Sequence, residues 1–199
     1  MRTQSKTMQF IDFQCENLGL EQKTLFERSK TLLNLYRHVV WTVKTRASNL
    51  RQEIIGTYGM QLNTALLYLS DLAPATTRAG FESKVNQLFE AKWLIDLADL
   101  ALQSVSCYPV LGEQYTALLR LRFMDETSRT DSQVAEALSI ERSTYYDRKK
   151  EATFLFGISL WGFVIPTTIT TYQRVSNMGM NENDFFNLVA KNLNNQLTA

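Results

Sequence analysis

The side chains best suited to recognise another molecule are polar and basic groups clustered over residues 142–150. An arginine can form two hydrogen bonds to a guanine edge, serine and tyrosine hydroxyls can meet bases or phosphates, and lysines suit the phosphate backbone. We therefore predict a surface that contacts duplex DNA, formed by Arg142, Ser143, Thr144, Tyr146, Asp147, Arg148, Lys149 and Lys150. In a helix, five of these share an outward face, and Tyr145 belongs to the core. The five are Arg142, Ser143, Tyr146, Asp147 and Lys150.

Three predicted helices hold this surface, in the order of a helix-turn-helix. The first begins near Glu113, and its apolar residues are Tyr115, Leu118, Leu119, Leu121 and Phe123. Thr130 and Gln133 have the spacing of a capping box, which predicts the start of the second helix. The third helix is predicted to begin at residues 141–143 and to bury Tyr145, Ala152, Leu155, Phe156 and Leu160.

The connection between the second and third helices carries two further expectations. Inward-pointing apolar residues should close the angle between the helices, and they are Val134, Ala135, Leu138 and Ile140. Ser139 stands where such a turn often has glycine, so we expect it to take a left-handed conformation at some energetic cost.

Charge limits how tightly one copy of this region can bind DNA. Residues 113–150 contain seven basic side chains, Arg120, Arg122, Arg129, Arg142, Arg148, Lys149 and Lys150, and seven acidic ones, Glu113, Asp125, Glu126, Asp131, Glu136, Glu141 and Asp147. Because phosphate neutralisation supplies most non-specific affinity, this zero balance predicts weak binding by a single copy. A dimer or a second basic surface would compensate. A purely structural three-helix unit is the alternative.

A long amphipathic helix is predicted over residues 21–55. Its apolar residues recur every seven positions and must be buried against another helix of the same chain or of a second copy. They are Phe26, Leu33, Val40, Ala47 and Ile54, then Tyr36, Val43 and Leu50, widened by Leu25, Leu32 and Val39. Beside them runs a basic line of Lys23, Lys30, Arg37, Lys44 and Arg51. These charges either pair with a neighbouring helix or serve as secondary contacts to phosphates.

Composition favours an all-α protein. Of the 199 residues 45% are hydrophobic, and only three prolines and eight glycines interrupt the chain, which favours helices over strands. We predict an N-terminal helical bundle and oligomerisation region (1–108), a helix-turn-helix DNA-binding domain (109–165), and a C-terminal arm with a short helix (166–199). The threonine-rich run after Pro166 is predicted to be a loop or a short extended segment of this arm. That last helix should bury Phe185, Phe186, Val189 and Leu193. No internal repeat is evident.

No arrangement typical of catalysis, cofactor binding or metal binding stands out. Cys15 and Cys107 are far apart and His38 is the single histidine, so zinc-ligand and redox spacings are missing. Both thiols are predicted to be reduced and packed. There is no phosphate-binding loop and no hydrolase motif. We therefore expect no enzyme activity, no cofactor and no metal.

The sequence also bears on location. The N-terminal residues lack the apolar run and cleavage site of a signal peptide, and no apolar stretch approaches 18 residues. We therefore expect a cytoplasmic protein with no membrane partner.

One stretch of the chain resembles a known family. Residues 113–162, EQYTALLRLRFMDETSRTDSQVAEALSIERSTYYDRKKEATFLFGISLWG, resemble the ArpU and RinA group of phage-encoded transcriptional regulators, most specifically at SIERSTYYDRKKEA. The C-terminal half of the stretch is also similar to region 4 of bacterial sigma factors. The resemblance implies a regulator in a bacterial host cell that activates late phage genes, with residues 142–150 as its recognition helix. Glu141 stands where that family often has serine or threonine.

Three functions therefore remain open. The first is a sequence-specific transcriptional activator that binds double-stranded DNA as a homodimer. The second is a sigma-like factor that meets promoter DNA only with host RNA polymerase as its partner. The third is a DNA-packaging or assembly component that forms a ring through the long helix.

Overall fold

The computed structural model describes residues 4–46, 93–175 and 178–197. The regular elements of these residues are helical, so the predicted all-α class is confirmed. The α-helices are α1 (Lys6–Asn17), α2 (Gln22–Arg46), α3 (Trp93–Ser106), α4 (Gly112–Leu119), α5 (Asp131–Ala137), α6 (Arg142–Gly157), α7 (Ile165–Val175) and α8 (Glu182–Leu197). Two π-helical segments continue α4 and α6, at Arg120–Met124 and Ile158–Val164.

Two compact units make up the chain, and each combines two stretches of sequence. The first contains Met1–His38 and Ala101–Ser159, and the second contains Val39–Leu100 and Leu160–Ala199. This division differs from the three consecutive segments that the sequence predicted. The first unit contains the predicted DNA-contacting residues together with α1 and the start of α2, so the N-terminal helices belong to the surroundings of that surface.

The buried side of α2 is shifted from the predicted heptad lines. Leu25, Leu32, Leu33 and Val39 are buried, whereas Phe26 and Val40, both on the predicted seam, are only half-buried. The buried stripe thus combines Leu33 of the predicted seam with Leu25, Leu32 and Val39, which were expected only to widen it. The predicted continuation from Ala47 to Ile55 lies outside the described residues.

Helix α2 packs against the C-terminal end of α6. A Cβ atom at Gly157 would lie 2.2 Å from Ser29 Oγ and 3.0 Å from Leu25 Cδ1, so glycine is required for this close approach. One turn earlier on α6, the ring of Phe154 lies 4.9 Å from that of Phe26. The beginning of α2 therefore lies beside the end of α6.

Helix α1 is held to α6 through a buried carboxylate. Glu151 is buried, accepts a hydrogen bond from Tyr115 Oη at 2.8 Å, and is hydrogen-bonded to Ser5 Oγ. Thr7 Oγ1 lies 3.2 Å from the same tyrosine hydroxyl. Burial is the main cause that raises the pKa of Tyr115, and the neutral phenol keeps its proton as a donor to Glu151.

Helices α6 and α7, with the π-helical segment between them, form one continuous helix, Arg142–Val175. By length and composition alone, this is the one described helix that could cross a membrane, which corrects the expectation that no apolar stretch approaches 18 residues. Of its most apolar window, 78% is buried within the protein. A buried core helix passes the same test of length and composition.

The prediction made for the C-terminal arm, residues 166–199, is partly wrong. Its threonine-rich start is helix α7, in which Thr167, Thr168 and Thr171 are buried. Packing overrides the weak helix propensity of β-branched residues, and Thr168 Oγ1 also donates to Val164 O at 2.7 Å. Helix α8 spans 16 residues rather than forming a short terminal helix. Its four predicted core residues, Phe185, Phe186, Val189 and Leu193, are all buried as expected.

The two cysteines differ in environment. Cys15 is buried in α1, and burial raises the pKa of its thiol to about 11. Cys107 is exposed, so the expectation that both thiols are packed holds only for Cys15.

Candidate nucleic-acid interface

The predicted surface is held by a tight connection between α5 and α6. Leu138 is the C-cap residue of α5, and the next residue, Ser139, has φ of +54°. Ser139 N donates to Glu136 O at 3.0 Å and Ile140 N donates to Ala135 O at 2.9 Å. This is the hydrogen-bond pattern of a Schellman motif. The left-handed conformation expected of Ser139 is therefore present.

The start of α5 is fixed by the predicted capping box. Gln133 N donates to Thr130 Oγ1 at 3.3 Å, and Thr130 N donates to Gln133 Oε1 at 2.8 Å. The capping box therefore satisfies the N–H groups of Thr130 and Gln133.

A small apolar core sets the angle between α4, α5 and α6. Its buried members are Leu118, Val134, Ala135 and Tyr145, with Leu121, Leu138 and Ile140 packed against them. Tyr145 fills the centre with 0% exposure, as predicted for the inward face of α6. Ile140, which follows the left-handed residue, makes the apolar contact that accompanies a Schellman motif.

Asp131 anchors α6 from the first turn of α5. Its Oδ1 accepts from Arg122 Nε at 2.7 Å, from Tyr145 Oη at 2.8 Å and from Lys149 Nζ at 2.9 Å. Partial burial raises the pKa of Asp131, but the bonds from Lys149, Arg122 and Tyr145 outweigh it and lower that pKa to about 2. Asp131 on α5 therefore connects the π-helical end of α4 with α6.

The predicted outward face of α6 is exposed. Its members are Arg142, Ser143, Tyr146, Asp147 and Lys150. Tyr146 is 45% exposed and stacks edge-on against Tyr145, with ring centroids 5.5 Å apart. Residues 142–150 of α6 therefore present one arginine, two hydroxyls, one carboxylate and one lysine to solvent.

Three other predicted contact residues lie off this face. Thr144 is half-buried. Arg148 Nη1 donates to Gln114 Oε1 on α4, and Lys149 Nζ bonds both carboxylate oxygens of Asp131 at 2.9 Å. The structure therefore brings five of the eight predicted residues together and turns Arg148 and Lys149 toward the rest of the unit.

The N-terminus of α6 lacks a side-chain cap. Glu141 is the N-cap residue and its side chain makes no capping hydrogen bond. The first-turn N–H groups of a helix have no partner within the helix and can bind an anion. Here they lie next to Arg142 and Ser143, so a phosphate at this end would meet backbone and side-chain donors together.

The basic residues predicted to form a line on α2 differ in exposure and in hydrogen bonding. Lys23 and Lys30 are exposed. Arg37 instead donates to Asp125 O at 2.7 Å and to Arg122 O at 2.8 Å, where the first π-helical segment ends. Burial lowers the pKa of Arg37. The side chain of Lys44 and all of Arg51 lie outside the described residues.

Sequence reasoning missed the residues that hold the surface in place. Asp131 reaches Lys149 across 18 positions, and Arg37 reaches the carbonyl of Asp125 across 88. Neither spacing matches a local helix pattern. An aspartate inside the capping box, directly after its N-cap threonine, was the one signal near this anchor, and it indicates only a helix start.

Comparison of the chain with models of protein families, with curated proteins and with solved structures gave no match.

Proposed function

We propose that the protein is a DNA-binding transcriptional regulator that reads duplex DNA with a helix-turn-helix, Thr130–Gly157. The proposal rests on one observation. Helix α6 has no side-chain cap at its N-terminus and presents an exposed face of Arg142, Ser143, Tyr146 and Lys150, while its opposite side is fixed in a core. In DNA-binding proteins of this architecture, the second helix of the motif enters the major groove with its N-terminal residues on base edges.

The chemistry of the face assigns roles to its members. Arg142, in the first turn, suits bidentate bonding to guanine, and Ser143 can bond a base or a phosphate. Lys150 lies two turns along the helix and suits the phosphate backbone. Lys149 is neutralised by Asp131 and acts as a positioning residue. A face that combines groups suited to base edges with a lysine suited to the backbone favours sequence recognition over simple charge attraction.

The wider role follows the family resemblance. We propose activation of late phage genes from a site upstream of a promoter, in the cytoplasm of a bacterial host. The balanced charge of residues 113–150 favours binding as a homodimer, because two copies double the number of phosphate contacts.

The first experiment is selection of bound sequences from random duplex DNA by the purified full chain, followed by affinity measurements on the enriched duplex. Arg142→Ala should weaken binding to that duplex by roughly 10- to 100-fold, with a smaller effect on random DNA. Lys150→Ala should weaken binding to both duplexes and make the slope of log affinity against log salt concentration shallower by about one. Arg174→Ala removes the same charge as Arg142→Ala from an exposed position of the other compact unit and serves as the control.

Three results would overturn parts of this proposal. Equal losses on selected and random duplexes for Arg142→Ala would remove its reading role. Binding that appears only after bacterial RNA polymerase is added would replace the stand-alone regulator by a sigma-like factor. Closed rings larger than a tetramer, seen by light scattering without any enriched sequence, would favour a packaging component.

A further inference from the structure

The first compact unit contains the α5–α6 motif twice. Residues 15–30, CENLGLEQKTLFERSK, align without a gap to residues 135–150, AEALSIERSTYYDRKK. The identical pairs are Glu16 and Glu136, Leu18 and Leu138, Glu21 and Glu141, Thr24 and Thr144, Arg28 and Arg148, and Lys30 and Lys150. The expectation that the chain has no internal repeat is therefore corrected.

The backbone repeats together with the sequence. Gly19 follows the end of α1 with φ of +64°, as Ser139 follows α5 with φ of +54°. Leu20 N donates to Cys15 O at 2.8 Å, and Ile140 N donates to Ala135 O at 2.9 Å. Both turns are thus Schellman motifs in the same register.

The second helix of each motif is seated in the same way. Leu25 and Tyr145 are equivalent, and both are 0% exposed. Leu25 N donates to Glu21 O at 2.9 Å, and Tyr145 N donates to Glu141 O at 2.8 Å. α1 and the start of α2 therefore form a second helix-turn-helix of the same local geometry.

The outward faces also correspond. Gln22, Lys23, Glu27 and Lys30 are exposed on α2, at the positions of Arg142, Ser143, Asp147 and Lys150 on α6. Each set carries two basic side chains and one acidic one.

Two differences set the second motif apart. The Glu21 carboxylate accepts from Lys23 N at 3.2 Å and from Thr24 N at 2.7 Å, so the helix N-terminus already carries an anion. Phe26, equivalent to the exposed Tyr146, packs on Phe154. Without an open helix end or an arginine in the first turn, this face lacks the groups for base reading.

We infer that the α1–α2 motif is a second contact surface for duplex DNA, which binds phosphates through Lys23 and Lys30 rather than reading bases. The inference rests on the proposed function of the α5–α6 motif. It adds two phosphate contacts per copy from outside residues 113–150. Residues 15–30 are themselves charge-balanced, so these contacts come from the two exposed lysines and not from an excess of positive charge. Lysine ammonium groups on a flexible stem suit such sequence-independent contacts.

The test compares a Lys23→Ala/Lys30→Ala variant of the full chain with the unaltered protein on the selected duplex and on random duplex. Both affinities should fall alike, by roughly tenfold at low salt. The slope of log affinity against log salt concentration should become shallower by about two, as expected for the loss of two phosphate contacts. Arg174→Ala/Lys191→Ala removes two charges from exposed positions of the other unit and should leave both affinities unchanged.

A second measurement avoids substitutions. Amine labelling of the unaltered protein, read by mass spectrometry, should show that duplex DNA protects Lys23 and Lys30 but not Lys191. Unchanged affinity and salt slope in the double variant, or full labelling of Lys23 and Lys30 in the complex, would overturn the inference. If Arg142→Ala still lost specific binding in that case, the proposed function would stand without it. Failure of the unaltered protein to bind any duplex would overturn both.

Discussion

The α5–α6 and α1–α2 helix pairs of the first unit have nearly the same turn but hold their second helix by different means. In the α5–α6 motif, the buried Tyr145 is fixed by a hydrogen bond to Asp131, which also bonds Lys149. In the α1–α2 motif, the equivalent Leu25 has no polar group, and the helix is held by close contact with Gly157.

This difference shows that turn geometry and helix support are separate properties. The turn depends on a left-handed residue and an apolar residue after it, which both motifs share. Support depends on what surrounds the second helix. A polar anchor leaves the first turns of α6 exposed, whereas apolar packing draws Phe26 of α2 toward the core.

The largest expected effect comes from weakening the polar anchor. Asp131→Asn should lower the free energy of unfolding at neutral pH by about 2 kcal/mol, because two cations at a partly buried site lose their carboxylate. Denaturant titration would measure this loss. Glu136→Gln, at an exposed position of the same helix, is the control and should change stability by less than about 0.5 kcal/mol.

Acid should produce the same loss in the unaltered protein. The folded-state pKa of Asp131 is about 2, below its unfolded value of about 4, so its stabilising contribution is complete above pH 4. It should be lost as the pH falls from about 4 toward 2. Asp131→Asn should lack this portion of the acid sensitivity. An identical pH profile in the two proteins would show that Asp131 is not the anchor.

An intermediate effect is expected from the apolar support of the α1–α2 motif. Gly157→Ala should destabilise the protein by about 1 to 2 kcal/mol, since overpacking costs more than the improved helix propensity returns. Thermal unfolding would measure it. The double variant Ser29→Ala/Gly157→Ala removes the closest atom and should recover most of the loss. Failure of this rescue would place the strain elsewhere.

The smallest effect concerns the turns themselves. Ser139→Gly should stabilise the protein by about 0.5 kcal/mol, because relief of left-handed strain exceeds the added entropy of the unfolded chain. Gly19→Ser should destabilise it by about 1 kcal/mol, and no atom lies within 4 Å of the new Cβ position to change that sign. Equilibrium unfolding of both variants would test whether the turns are equivalent. Changes of the same sign would show that they are not.

Local sequence patterns determined the all-α class, the capping box at Thr130, the left-handed Ser139 and the outward face of α6. Each depends on residues within a few positions of one another, so spacing is enough to predict it. Only the tertiary structure decided that Lys149 and Arg37 face inward and that the threonines after Pro166 are helical. Those outcomes depend on partners far away in the chain. Helix propensity and periodicity describe neighbours along a helix and carry no information about which distant carboxylate, carbonyl or apolar surface a side chain will meet.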